Sequence, residues 1–103
     1  DYDLLIYVSN WPIKRIKAWE MLLKARSIEN MCYTIGVNRV GKDANAYEYS
    51  GNSLIVDYLG EILSDLPKSE VGIIKTTLLK TNQKKVRKKL GFLNDKDTFH
   101  IDF

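Results

Sequence analysis

The chain has 103 residues and a net charge of +3, with 45% of residues hydrophobic and 28% charged; this is the balance of one soluble globular domain over 1–103 and excludes a disordered chain. No stretch approaches the roughly 18 apolar residues that cross a bilayer, so no membrane partner is expected. One cysteine, Cys32, and one histidine, His100, can form neither an internal disulfide nor an N/S zinc site, so a cytoplasmic protein with no metal or cofactor is expected.

In chain order, Leu4 to Val8 is a continuous apolar run of the kind found in strands buried on both faces. The chain enters it directly, with no initiator methionine, and is expected to belong to something longer. Ser9, Asn10, Trp11 and Pro12 break the strand; Asn or Ser suits a helix cap, and proline a first turn. Ile13 to Asn30 reads as a helix, because Ile16, Trp19, Leu22 or Leu23 and Ile28 share one side. Met31 to Val40 reads as a second strand, with Cys32, Thr34, Gly36 and Asn38 alternating against Tyr33, Ile35, Val37 and Arg39. Strand, long helix and strand form a crossover unit, which makes the two strands parallel and the fold class α/β (α+β).

Gly41 to Asn45 is a polar loop. Asn52 to Asp57 and Glu61 to Leu63 read as a hairpin turning near Leu59 and Gly60. Pro67 and Lys68 open a turn, and Val71 to Ile74 reads as a short strand. Thr76 or Thr77 is expected to cap a final helix that runs to about Leu90 and stops at Gly91. The positive charge is concentrated there: Lys75 to Lys89 holds seven basic residues and no acid, and taking +7 from the total of +3 leaves the rest at −4.

Few residues point to chemistry. Cys32 has no histidine near it in sequence and begins an apolar strand, the setting of a small buried hydrophobe and not of a reactive thiol. His100 has no catalytic or ligating partner, and Asp95, Asp97 and Asp102 are too scattered for a metal cage. The basic run could touch phosphates by charge alone, but it has no interleaved aromatic to stack on bases. It reads as a solvated helix face with Leu78, Leu79, Val86 and Leu90 inward, which argues against nucleic-acid binding. Arg26, Glu29 and Asn30 form a polar trio near a helix end, expected to pair as a structural network tying helix to sheet. Asn10 and Trp11 follow the carboxyl end of the first strand, the rim where open α/β sheets bind ligands.

Four segments carry a resemblance: Asp-Leu-Leu-Ile-Tyr-Val-Ser-Asn-Trp-Pro over 3–12, Ala-Trp-Glu-Met-Leu-Leu-Lys-Ala-Arg-Ser-Ile-Glu-Asn over 18–30, Gly-Val-Asn-Arg-Val-Gly over 36–41 and Tyr-Ser-Gly-Asn-Ser over 49–53. In this order they resemble the C-terminal portion of the nitrilase superfamily of carbon–nitrogen hydrolases, in its omega-amidase-like branch. The resemblance implies a four-layer αββα sandwich, of which this chain supplies a little under half. It implies hydrolysis of a small ω-amide of the 2-oxoglutaramate or succinamate type by a catalytic glutamate, lysine and cysteine that all precede the first strand. In that chemistry the glutamate takes the thiol proton, the thiolate attacks the amide carbon and ammonia leaves. The lysine and a backbone N–H hold the oxyanion, and water then releases the acid.

None of the three catalytic residues is expected in this chain, and the family's nucleophile role does not pass to Cys32. What the resemblance carries over is the loop Asn10, Trp11 and Pro12 as a border of the substrate pocket, and the helix bearing Arg26, Glu29 and Asn30 as a structural element at a homodimer interface. Asn52 stands where the family often has Asp or His. A small-molecule amide and a second copy of the protein are therefore the implied partners. Taken alone, the residues also admit a non-catalytic half-domain, or a module that binds nucleic acid through Lys75 to Lys89.

Overall fold

The computed structural model describes residues 2–103. Six strands and two helices follow one another as β1 (Leu4–Ser9), α1 (Ile16–Asn30), β2 (Tyr33–Asn38), β3 (Val40–Lys42), β4 (Glu48–Ser50), β5 (Leu54–Val56), β6 (Ile62–Asp65) and α2 (Lys80–Leu90). One sheet runs in the order β1-β2-β5-β6, and β3 pairs with β4 in a separate ribbon. β1 and β2 are parallel, with Leu4 opposite Tyr33 and Ser9 opposite Asn38; β5 is antiparallel to β2, and β6 to β5. The expected crossover and the hairpin after it are both present.

α1 covers one face of the sheet. Trp19 and Leu23 are buried against Leu54 and Val56, with Trp11 and Ile16 at the border. The side of β2 that faces the helix is the polar one: Ser27 Oγ of α1 donates to Thr34 Oγ1 at 2.7 Å, and both residues are fully buried. Gly36 permits the close approach. A Cβ there would lie 2.4 Å from Leu23 Cδ1 and 2.8 Å from the Trp19 ring. Ser27 thus occupies the inward place expected of Ile28, which is half exposed.

The opposite face carries Leu4, Ile6, Val8, Tyr33, Ile35, Val37 and Ile55. Ile6 is 57% and Val8 82% exposed, so β1 is not the strand buried on both faces that its composition predicts. It lies at the sheet edge with β2 as its neighbour, and α1 covers only the side of Leu5 and Tyr7. The Cα envelope is correspondingly thin, 46 × 40 × 17 Å.

Four other expectations are corrected. Ile13–Arg15 is a 3₁₀ turn and α1 begins at Ile16; neither helix start is capped by a side chain, so Ser9 and Asn10 do not cap it. The polar loop at Gly41 to Asn45 is the start of a β-ribbon, because Asp43 closes the turn by accepting from the N–H groups of Asn45 and Tyr47. Val71 to Ile74 forms no strand; no neighbouring backbone pairs with it, and Val71 and Ile73 are among the most exposed residues. α2 starts at Lys80, not after Thr76 or Thr77, because the Tyr33 hydroxyl accepts from Leu79 N–H at 3.1 Å and donates to its carbonyl at 3.2 Å. Gly91, left-handed at φ 69°, ends that helix as expected.

The inward stripe of α2 is also polar where apolar residues were expected. Gln83 is its buried residue, while Leu79 and Leu90 are half exposed. Gln83 Nε2 donates to the carbonyls of Asp3 (2.9 Å) and Met31 (3.0 Å). Arg87 donates to Met31 O (2.9 Å), Tyr2 O (2.8 Å) and Asp3 Oδ1 (2.7 Å), and Lys80 pairs with Asp3 Oδ2 at 2.9 Å. α2 is docked by hydrogen bonds to the start of β1 and the end of α1. Among the described residues no helix is long and apolar enough to cross a membrane.

Candidate functional site

The carboxyl ends of β1 and β2 release two loops, and one buried amide holds both. Asn38, 8% exposed, ends β2 directly opposite Ser9 of β1. Its Oδ1 accepts from Trp11 N–H at 2.7 Å, and its Nδ2 donates to Trp11 O and Gly51 O, each at 2.9 Å. The side chain therefore pairs with Trp11 as a neighbouring strand would and uses its remaining N–H on the second loop. Its main chain is tied separately: Asn38 N–H donates to Ser53 Oγ at 2.9 Å.

The second loop needs that support. Gly51 and Asn52 are consecutive left-handed residues, at φ 70° and 55°. Glycine adopts this at no cost, and asparagine tolerates it better than most residues. Asn52 is fixed from both sides, since Ser50 Oγ donates to its Oδ1 at 2.7 Å and Trp19 Nε1 donates to its carbonyl at 2.9 Å. Its position in Ser-Gly-Asn-Ser is thus explained by backbone geometry.

The residues expected at the rim divide into two kinds. Trp11 is packed: its ring lies 5.6 Å from Trp19, the Arg15 guanidinium sits 5.1 Å above it, and its Nε1 donates to Arg15 O at 2.7 Å. Pro12 is half-buried and starts the 3₁₀ turn. Asn10 is exposed, and its side chain bonds to no other described residue, so its amide is the one in the loop free to meet a ligand. Pro12, Ile13 and Lys14 form one wall of a cleft of about 400 Å³ whose other wall is the ribbon tip, Asn45 to Glu48. A second cleft of about 340 Å³ lies between Asn38–Val40, Gly51–Ser53 and the segment Leu66–Ile74.

The ribbon that carries the tip is well anchored. Tyr49 OH donates to Asp43 Oδ2 at 2.7 Å, which holds the Asp43 carboxyl below and the Tyr49 phenol above their ordinary values. Arg39 lies 4.7 Å over the Tyr49 ring.

Arg26, Glu29 and Asn30 do not tie helix to sheet. Arg26 pairs with Glu29 on the exposed surface, and Asn30 Nδ2 donates back to Arg26 O at 3.0 Å within the same helix. An exposed pair on one helix adds little to stability, because water screens it. The tie that the trio was expected to make comes from Ser27, Gln83 and Arg87.

Cys32 is fully buried, and burial pushes its thiol up. Its Sγ lies 3.8 Å from both Arg26 O and Thr34 Oγ1, with no base beside it. A thiol held neutral and out of reach of solvent is a poor nucleophile. His100 pairs with Asp102 at 2.9 Å in a fully exposed contact. Among the described residues no group of three His, Cys, Asp or Glu side chains could hold a metal.

Sequence reasoning passed over Asn38, Gln83 and Arg87. For Asn38 a signal existed: alternation puts it on the helix-covered side, where a buried amide must find partners.

Residues 1–87 match the carbon–nitrogen hydrolase family. Omega-amidase YafV of Yersinia enterocolitica is 42% identical over 99 residues, covering 96% of this chain and 39% of the relative. The 2-oxoglutaramate amidase of Bacillus subtilis is 31% identical over 93 residues, covering 90% of this chain and 35% of the relative. Among solved structures, XC1258 from Xanthomonas campestris, a CN-hydrolase superfamily protein with an arsenic adduct in its active site, superposes with a TM-score of 0.93 at 36% identity. That match covers 99% of this chain and 38% of that one. The chain thus spans well under half the length of the relatives it matches, and it is a member of the carbon–nitrogen hydrolase family.

Proposed function

We propose that the protein carrying this chain hydrolyses the terminal carbon–nitrogen bond of a small ω-amide, of the 2-oxoglutaramate or succinamate type, and releases ammonia. The observation that carries this reading is the 42% identity to an omega-amidase, spread over 96% of the chain and not confined to one motif. In this reading residues 1–103 bring no reacting group. The attacking cysteine comes from outside them, because the one cysteine here is buried, has no base beside it and has its thiol pushed up by burial; the family resemblance puts the glutamate and lysine before β1 as well.

What this chain contributes is the border of the substrate pocket, at Asn10, Trp11 and Pro12, beyond the carboxyl end of β1. Asn10 offers an amide that can both donate to and accept from a polar substrate. Trp11 gives the loop its shape through its packing. The reading also includes a homodimer, for which α1 presents Met21, Leu22 and Ile28 as exposed apolar side chains beside the Arg26–Glu29 pair, and action in the cytoplasm.

Ammonia release tests it. The protein expressed from its natural gene should release ammonia from succinamate or 2-oxoglutaramate, and the Cys32→Ala variant should retain that rate within a factor of two. The isolated 103-residue chain should release none. No ammonia from the natural gene product, or ammonia from the isolated chain that Cys32→Ala abolishes, overturns the reading.

A further inference from the structure

We infer that Asn38 is the positioning residue of the amide-binding rim: its side chain ties Trp11 of the loop Asn10–Pro12 to Gly51 of the loop Gly51–Ser53, and so fixes where the neighbouring Asn10 amide stands toward an ω-amide. The inference rests on the function proposed above and adds to it a residue that touches no substrate itself.

A primary amide has two donors and a carbonyl acceptor, and here both donors and the acceptor meet backbone partners. Two of the three contacts take the N–H and the carbonyl of the same residue, Trp11, which fixes the peptide planes on either side of it; the third reaches Gly51. Asn10 lies on one of those planes and Pro12 on the other, while Asn52 shares the peptide plane of the Gly51 carbonyl. A single buried group therefore sets the spacing of two segments that are about forty residues apart in sequence.

Geometry also separates this task from holding the strand in place. Asn38 keeps its place in the sheet through its own main chain, whose N–H donates to Ser53 Oγ and whose carbonyl accepts from that hydroxyl at 3.3 Å. Replacing the side chain leaves those bonds and the β1–β2 register intact, and frees only the loops. Aspartate would keep the acceptor for Trp11 N–H but turn a carboxylate oxygen toward the carbonyls of Trp11 and Gly51, so acceptor would face acceptor.

A rim that holds substrate equally in the ground and transition states acts on KM more than on kcat. The test uses the protein expressed from its natural gene, assayed for ammonia release from succinamate at a temperature well below the melting point of every variant. Asn38→Ala and Asn38→Asp should raise KM at least tenfold and change kcat less than threefold. Ser27→Ala removes a buried hydrogen bond at the other end of the helix–sheet interface. It should lower the melting temperature and leave KM within twofold, so a loss of stability alone is separated from a loss of positioning. In Asn38→Ala, which removes the acceptor, amide exchange at Trp11 should accelerate more than tenfold while amides of β2 stay protected.

An unchanged KM in Asn38→Ala, or an equal rise in KM in Ser27→Ala, overturns the assignment while leaving the amidase reading standing. A wild-type protein that releases no ammonia overturns the amidase reading, and the assignment with it.

Discussion

At the amino end of β1 and β2, Gln83 and Arg87 bond the carbonyls of Tyr2, Asp3 and Met31; at the carboxyl end, Asn38 bonds the main chain of Trp11 and Gly51. Both ends satisfy strand-flanking backbone with side-chain donors, yet they differ in charge. The amino end is ionic: Asp3 meets both Arg87 and Lys80, and α2 brings four further exposed lysines, Lys84, Lys85, Lys88 and Lys89. At the carboxyl end the bonds of Asn38 join neutral groups only, and Asn38 itself is buried. Salt and acid should therefore act on the end that docks a helix and spare the bonds by which Asn38 joins its two loops.

The largest effect should come from the layer that joins the two ends. Trp19→Ala removes the ring buried against Leu54 and Val56, and also the donor to Asn52 O that steadies the carboxyl-end loop. A loss of about 3–5 kcal/mol of stability is expected from denaturant melts, with both ends loosened together. A variant that melts like wild type would break the comparison at its root.

Gln83→Ala should separate the ends. It leaves the carbonyls of Asp3 and Met31 without the Gln83 donor, at a cost of roughly 1–3 kcal/mol. Amide exchange should rise in α2 and at the start of β1 and stay unchanged at Trp11. Cys32→Ala, at the same end, removes one small buried group with weak contacts, and about 1 kcal/mol is expected.

The smallest effect is the dependence on pH. Hydrogen bonds from Lys80 and then Arg87 hold the Asp3 carboxyl below its ordinary value, so the carboxylate is favoured in the fold. Its contribution is complete above the ordinary carboxylate value near 3.8 and is lost as the pH falls through the lower value in the folded chain. Exchange of α2 amides should rise on acidification in wild type and be flat in Asp3→Asn. Because Asp3 is exposed, 0.5 M salt should shrink the difference.

The β–α–β crossover, the hairpin after it and the stop at Gly91 could be read from apolar spacing and turn residues, because local pattern decides them. The exposure of β1 could not, since a continuous apolar run states that both faces can be buried and not that a neighbour is there to bury them. The β3–β4 ribbon was hidden because its strands are three residues each and its turn is built by one Asp43 side chain. The start of α2 escaped for a similar reason: a tyrosine 46 residues away holds Leu79 in place of a local cap. At the rim, Asn10 was visible from its place after a strand, whereas Asn38 acts on residues 27 and 13 positions away. Arg26 and Glu29 looked like a buried network because helix spacing brings them together, but spacing carries no information on depth.

The proposed function puts the attacking cysteine outside residues 1–103 and leaves this chain the border of the ω-amide pocket. The most direct measurement is to turn over succinamate with the natural gene product, quench in acid and map the acyl-thioester by peptide mass spectrometry. An acyl group is expected on a cysteine other than Cys32, with the Cys32 peptide unmodified. An acyl group on Cys32 would contradict the proposed function.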